Sequence, residues 1–172
     1  AIRAHVLRLP EVSAICEGTQ DTCLIQIETD AGIIGWGEVD SCPSVVKAII
    51  EAPLSHQICN GLANALVGAD PLAVEACMAR MDAAANYYGR VGVGAHAMAG
   101  INQALWDIAG KAHDAPIYQL FGGPFKKSFR AYCSILFGDT PEATYDLARR
   151  HADMGFTAIK FGWGPMGQSE EN

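Results

Sequence analysis

The chain has 172 residues and a formal net charge of −7; half of its residues are apolar and 18% are charged. That apolar content excludes disorder as a whole-chain state. The acidic balance, with no basic run longer than the pairs Lys126-Lys127 and Arg149-Arg150, excludes a phosphate-tracking nucleic-acid surface, and no apolar stretch approaches the roughly 20 residues of a membrane helix.

Residues 2–9 alternate loosely and read as a strand that Pro10 stops. Residues 10–20 form a turn-rich loop. Thr22 to Thr29 is a second strand with Cys23, Ile25 and Ile27 on one face. Asp30-Ala31-Gly32 turns the chain, Gly32 supplying a positive φ, and Ile33 to Glu38 returns as a third strand, with Gly35 and Gly37 leaving room for close backbone approach. The period then becomes helical. Ser44 to Glu51 is a helix with Ser44 as its cap. Leu54 to Val67 is a second, ended by Gly68. Asp70 (cap) and Pro71 (first turn) open a third that runs to about Ala85. Residues 87–94 are a glycine-punctuated loop. Ala95 to Ala112 is the strongest helix, with Met98, Ile101, Leu105 and Ile108 in one apolar stripe.

Ile117 to Phe121 is a short segment closed by Gly122-Gly123-Pro124, the best domain boundary on the chain. Strand, helix and strand follow at Ser128 to Phe137, Pro141 to Met154 and Phe156 to Phe161, a βαβ unit with parallel strands. The order predicts an α+β domain, an antiparallel meander plus helices over 1–125, and the opening of a parallel architecture over 126–172. One βαβ unit cannot bury both faces of its strands, so the chain reads as the N-terminal portion of a longer protein.

The six cysteines (16, 23, 42, 59, 77 and 133) include no C-x-x-C pair and read as reduced structural thiols. Ala1 to His5 carry no signal-peptide pattern, so a cytoplasmic location is expected. The five histidines are scattered, and no zinc site is expected. Gly89-x-x-Gly92-x-Gly94 precedes a helix but follows no strand, and reads as a lead-in rather than a dinucleotide loop.

Four segments, in order, resemble a known group. Thr29-Asp30-Ala31-Gly32-Ile33-Ile34-Gly35-Trp36-Gly37-Glu38 is similar to the T-D-x-G-x-x-G-x-G-E hairpin of the mandelate racemase/muconate lactonizing group of the enolase superfamily. The stretch from Gly100 to Lys111 (GINQALWDIAGK) resembles that group's G-I-D-x-A-L-W-D-I-x-G-K helix, with Asn102 in place of the Asp. Pro116 to Gly123 resembles P-V-Y-x-L-L-G-G, and Gly155 to Lys160 resembles G-F-x-A-x-K.

The resemblance implies a capping domain followed by the first βαβ unit of a TIM-like (β/α)7β barrel. It also implies abstraction of the proton α to a carboxylate through an enediolate held on Mg2+, whose ligands are expected beyond residue 172. The expected substrate is a small carboxylate, an acid sugar first of all, and the expected assembly a homo-oligomer, with no nucleic-acid or membrane partner.

Lys160 is the catalytic-site residue the resemblance picks out: it matches the first Lys of the group's K-x-K at a barrel-strand end. Gly162 stands where the second Lys, the base, is found. That departure favours a dehydratase (a carbon–oxygen lyase with a base elsewhere on the barrel) over a racemase, epimerase or cycloisomerase. Lys160 is then expected to bind the substrate carboxylate; the alternative is a solvated strand-end lysine. Ser134 matches a substrate-contacting serine, or else bonds backbone. Ser13, Ile15, Cys16, Ser41 and Cys42 lie in two loops that the resemblance marks for specificity. Trp106 and Asp107 read as structural, a core aromatic and a paired carboxylate. A non-catalytic capping module or pseudoenzyme is the reading of another class.

Overall fold

Alternation in the first forty residues becomes a three-stranded antiparallel meander in the computed structural model, which describes residues 1–12, 20–56 and 58–162. Strands β1 (Ile2–Arg8), β2 (Asp21–Glu28) and β3 (Ile34–Val39) lie in chain order. Cys23, Ile25 and Ile27 all face inward and are buried, and Gly32 takes φ +79 in the β2–β3 turn. Helices α1 (Pro43–Glu51), α2 (Leu62–Leu66), α3 (Val74–Ala84), α4 (Val93–Ala112) and α5 (Ile117–Leu120) follow. Met98, Ile101, Leu105 and Ile108 form the buried stripe of α4 and join Ile25, Val46, Ile50, Leu62 and Met81 in one core.

The glycines of β3 explain how α4 packs so tightly on the sheet. A Cβ at Gly35 would fall on the Ala104 carbonyl oxygen, and one at Gly37 on that of Gly100. Gly100 in turn leaves space for Ile25 and Val39 from the sheet. The hairpin motif and the helix motif are thus two halves of one backbone-to-backbone contact.

The chain divides into two compact units, Ala1–Pro124 and the residues from Phe125 onward. Gly122 and Gly123, at φ +101 and +90, carry the chain up to that division. In the second unit, β4 (Cys133–Leu136) and β5 (Ile159–Gly162) pair in parallel and α6 (Pro141–Asp153) connects them. Thr140 Oγ1 accepts from the Ala143 N–H (3.2 Å) to cap α6, and Gly155 leaves it at φ +96. An antiparallel meander with helices followed by a parallel βαβ unit is the expected α+β order. Among the described residues no helix is long and apolar enough to cross a membrane.

Five local expectations are corrected. Ser44 does not cap α1: Cys42 holds that place at φ 49, its carbonyl accepting from Val45 (2.9 Å) and Val46 (3.0 Å), with Pro43 in the first turn. The helix expected over Leu54 to Val67 shrinks to α2. Pro53 forces Ala52 into extended backbone, His56 and Cys59 form an isolated bridge, and Gly61 presses on the Ala52 backbone, where a Cβ would collide. Asp70 caps a turn rather than α3: its Oδ1 accepts from the Leu72 N–H (2.9 Å), and the helix starts at Val74. The glycine loop ends earlier, because α4 begins at Val93 and includes Gly94, which sits against the Gly89 carbonyl. The first parallel strand covers only Cys133–Leu136, since the Arg130 side chain takes up the cross-strand bonding ahead of it.

Candidate active site

In β4 and β5 the side chains alternate. Cys133, Ile135, Ile159 and Phe161 are half-buried, whereas Ser134, Leu136 and Lys160 are exposed. Helix α6 presents a matching half-buried stripe, Ala143, Thr144, Leu147, Ala148 and His151, and Phe137 stacks on Phe161 at 5.4 Å. Among the described residues, nothing covers the opposite face of the strand pair.

On that open face the register makes Ser134 and Lys160 Cα partners, and Leu136 and Gly162 the next pair. Partners on neighbouring strands stand about 4.8 Å apart with side chains on the same side. The two residues that the sequence singled out separately, 26 positions apart, are therefore neighbours. Among the described residues, Lys160 has no ion pair or hydrogen bond holding its ammonium elsewhere. Gly162 contributes no functional group, and among the described residues nothing lies within 4 Å of the place a Cβ would occupy. Packing against the described residues does not require glycine there.

Two devices hold this arrangement. Arg130 donates from Nε to Thr157 Oγ1 (2.8 Å) and from Nη2 to the Thr157 carbonyl (2.6 Å), tying the chain ahead of β4 to the chain ahead of β5. A slip of one residue would turn Lys160 to the α6 side, so this tie bears directly on the site. Beyond β4, the Gly138 N–H donates to Thr144 Oγ1 (2.9 Å), and a Cβ at Gly138 would strike Ala143. Sequence reasoning missed Arg130; a basic residue before a strand gives no sign of its partner.

An ammonium beside a hydroxyl is an anion-binding pair: charge-assisted N–H···O⁻ bonds to a carboxylate, with the hydroxyl as second donor. A divalent cation does not fit here. The open face presents a cation of its own, and no group of three or more His, Cys, Asp or Glu among the described residues could hold a metal ion.

Of the loop residues, Ser13, Ile15 and Cys16 lie outside the described residues. Ser41 and Cys42 sit between β3 and α1. The Ser41 hydroxyl donates to Asp40 Oδ1 (3.2 Å), and the Cys42 side chain is exposed beside left-handed backbone. Burial instead pushes the Cys23 and Cys77 thiols up, and Cys77 Sγ also donates to the Asp70 carbonyl (3.3 Å). Asp107 is paired, with Lys111 at 2.6 Å. Trp106 is half-buried rather than enclosed, and its ring lies 4.4 Å from that of Phe121.

The family model for the mandelate racemase / muconate lactonizing enzyme N-terminal domain matches residues 3–122. D-galactonate dehydratase of Verminephrobacter eiseniae is 39% identical over 138 residues, 79% of this chain and 33% of that protein. A crystal structure of a predicted mandelate racemase from Rhodobacter sphaeroides superposes with a TM-score of 0.81 at 36% identity, covering 98% of this chain and 43% of that one. A racemase from Streptomyces coelicolor with bound magnesium gives a TM-score of 0.78 at 25% identity, covering 99% of this chain and 48% of that one. The chain thus spans from a third to about half the length of these relatives.

Proposed function

The chain belongs to the mandelate racemase/muconate lactonizing enzyme family through its N-terminal domain, and from that premise we propose that it is part of an acid-sugar dehydratase. The reading rests on one observation: Lys160 and Ser134 are register partners on an open strand face, while Gly162 leaves the next position on β5 without a base. The 39% identity to a D-galactonate dehydratase supports the same class of substrate.

The roles follow from chemistry. The Lys160 ammonium receives the substrate carboxylate and Ser134 donates a second hydrogen bond, which orients the α-carbon. Removal of the α-proton by a base elsewhere in the longer protein and departure of the β-hydroxyl as water leave an enol, which tautomerises to a 2-keto-3-deoxy acid. Lys160 also offsets negative charge that grows on the carboxylate as the proton leaves. Residues 126–172 begin a β/α barrel in this reading, and Ser41 and Cys42 contribute to substrate choice. Magnesium, which the Streptomyces coelicolor racemase holds, would be held by residues other than those described.

A racemase is less well supported. Inverting a centre with two bases needs one on each side of the α-carbon, and Gly162 offers none although space is open there. The test is a screen of acid sugars with the full-length protein for 2-keto-3-deoxy products, together with solvent deuterium exchange at the α-carbon. A dehydration product that Lys160→Met forms with kcat/KM reduced about a hundredfold is the expected result. Unchanged turnover and KM in Lys160→Met would overturn the assignment.

A further inference from the structure

Both outer strands of the meander carry the same device on their outer edge. In an antiparallel ladder, alternate residues of an outer strand direct N–H and C=O away from the sheet, and these unpaired groups can template another strand. On β3 the outward residues are Ile34, Trp36 and Glu38. The Trp36 N–H donates to Asp107 Oδ2 (2.9 Å), Lys111 Nζ donates to the Ile34 carbonyl (2.7 Å), and the Glu38 N–H donates to Gln103 Oε1 (3.2 Å). On β1 the outward residues are Ile2, Ala4, Val6 and Arg8, and Ala4, near the middle of the edge, is held twice: its N–H donates to Glu51 Oε1 (2.9 Å), and its carbonyl accepts from Lys47 Nζ (2.5 Å). In each case the helical acid and lysine are four residues apart and paired with one another, at 2.6 Å for Asp107–Lys111 and 2.8 Å for Lys47–Glu51.

The match along β3 has a geometric cause. Four residues of helix rise about 6 Å, and two residues of strand span about 6.8 Å. Helix α4, running opposite to β3, therefore sets Gln103, Asp107 and Lys111 against Glu38, Trp36 and Ile34 in turn. The glycine contacts at Gly35 and Gly37 bring the helix close enough for these side chains to reach. Exposed ion pairs contribute little by themselves. What these two pairs do is occupy strand backbone that would otherwise be free to bond.

We propose that the two acid–lysine pairs are edge locks, which keep a second copy of this chain from adding a strand to either side of the sheet. The partner excluded is a like chain, because β1 and β3 each present an antiparallel edge to which the same strand of another copy could pair about a two-fold axis. This inference is independent of the reaction.

The test compares full-length wild type with Asp107→Ala/Lys111→Ala, by light scattering over a concentration series and by hydrogen exchange at single amides. The expected result is roughly tenfold faster exchange at the Trp36 amide, unchanged protection in β2, and a new higher-mass species that grows with concentration. Asp107→Asn/Lys111→Gln, which keeps an acceptor and a donor, should restore the wild-type mass. Faster exchange at Trp36 without the new species would overturn the proposal, as would unchanged exchange. If the α4 variant does not fold, Lys47→Ala/Glu51→Ala opens the other edge without touching α4. Faster exchange at the Ala4 amide together with a new higher-mass species then supports the proposal, and either one without the other overturns it.

Discussion

The two units of this chain obtain their order in different ways. The first buries Ile25, Ile50, Leu62, Met81, Ile101, Leu105 and Ile108 almost completely, and helix side chains bond the outer backbone of β3 and, at Ala4, of β1. In the second, no described residue is buried, and Phe125 and Phe129 are 93% and 79% exposed. Its order comes from a four-residue parallel pairing, a capped helix, the Arg130 tie and one aromatic stack. Burial of apolar surface is the dominant favourable term in folding, so stability is concentrated in the first unit. The groups suited to bind a carboxylate stand on the second. Substitutions in the core and sheet of the first unit, away from Ser41 and Cys42, should move melting and leave chemistry alone; substitutions on the open face of β4–β5 should do the reverse.

The sharpest way to break this contrast is to add the same methyl group in both places. Gly37→Ala drives a Cβ onto the Gly100 carbonyl, backbone against backbone. The expected loss is about 3 kcal/mol or more, a large share of a typical domain's stability, read by urea denaturation. Gly162→Ala meets open space and should stay within about 0.5 kcal/mol of wild type. An equal loss at both positions would mean that the face carrying Lys160 is packed, and the contrast would fall. Lys160→Met should follow in size: kcat/KM reduced about a hundredfold, near 2.7 kcal/mol, at an unchanged melting temperature. A lowered melting temperature with normal turnover would make Lys160 a structural residue. A smaller version of the core test is Ile101→Val, which should cost about 1 kcal/mol. Ile135→Val, at a half-buried position in the second unit, should cost less than half of that.

How much of this was legible in the sequence depends on the kind of signal. The meander and α4 were legible because their apolar residues recur at periods of 2 and 3.6 over many residues, as Cys23, Ile25 and Ile27 and the stripe from Met98 to Ile108 show. Residues 54–61 misled for the same reason. Leu54 and Ile58 sit four apart as on a buried helix face, yet they are 63% and 50% exposed, because Pro53 and Gly61 dictate the backbone between α1 and α2. Asp107 could be read as paired, but no spacing reveals that its carboxylate reaches the Trp36 amide 71 residues away. At the site, Lys160 and Ser134 were found one at a time by their likeness to family positions. That they face each other follows from a register set partly by Arg130 and Thr157, and register between two strands is not written in either strand alone.

The smallest expected effect concerns acid. Burial pushes the Glu51 carboxyl up, but hydrogen bonds from Lys47 and from the Ala4 N–H, with the Lys47 charge, outweigh it and hold the group below the ordinary glutamate range. A carboxylate whose folded value is depressed contributes stability above its unfolded value, and that contribution is lost as the pH falls through the folded one. The Glu51 side chain is 37% exposed, so solvent screening limits the contribution to less than about 0.5 kcal/mol. Stability measured by urea titration from pH 6 downward should therefore fall slightly more steeply in wild type than in Glu51→Gln, the difference opening only below the ordinary glutamate range. Parallel acid limbs would show that the β1 lock does not depend on the carboxylate's charge, and would leave the first unit's acid response to its other carboxylates, among them Glu28, which the Arg3 hydrogen bond also holds low.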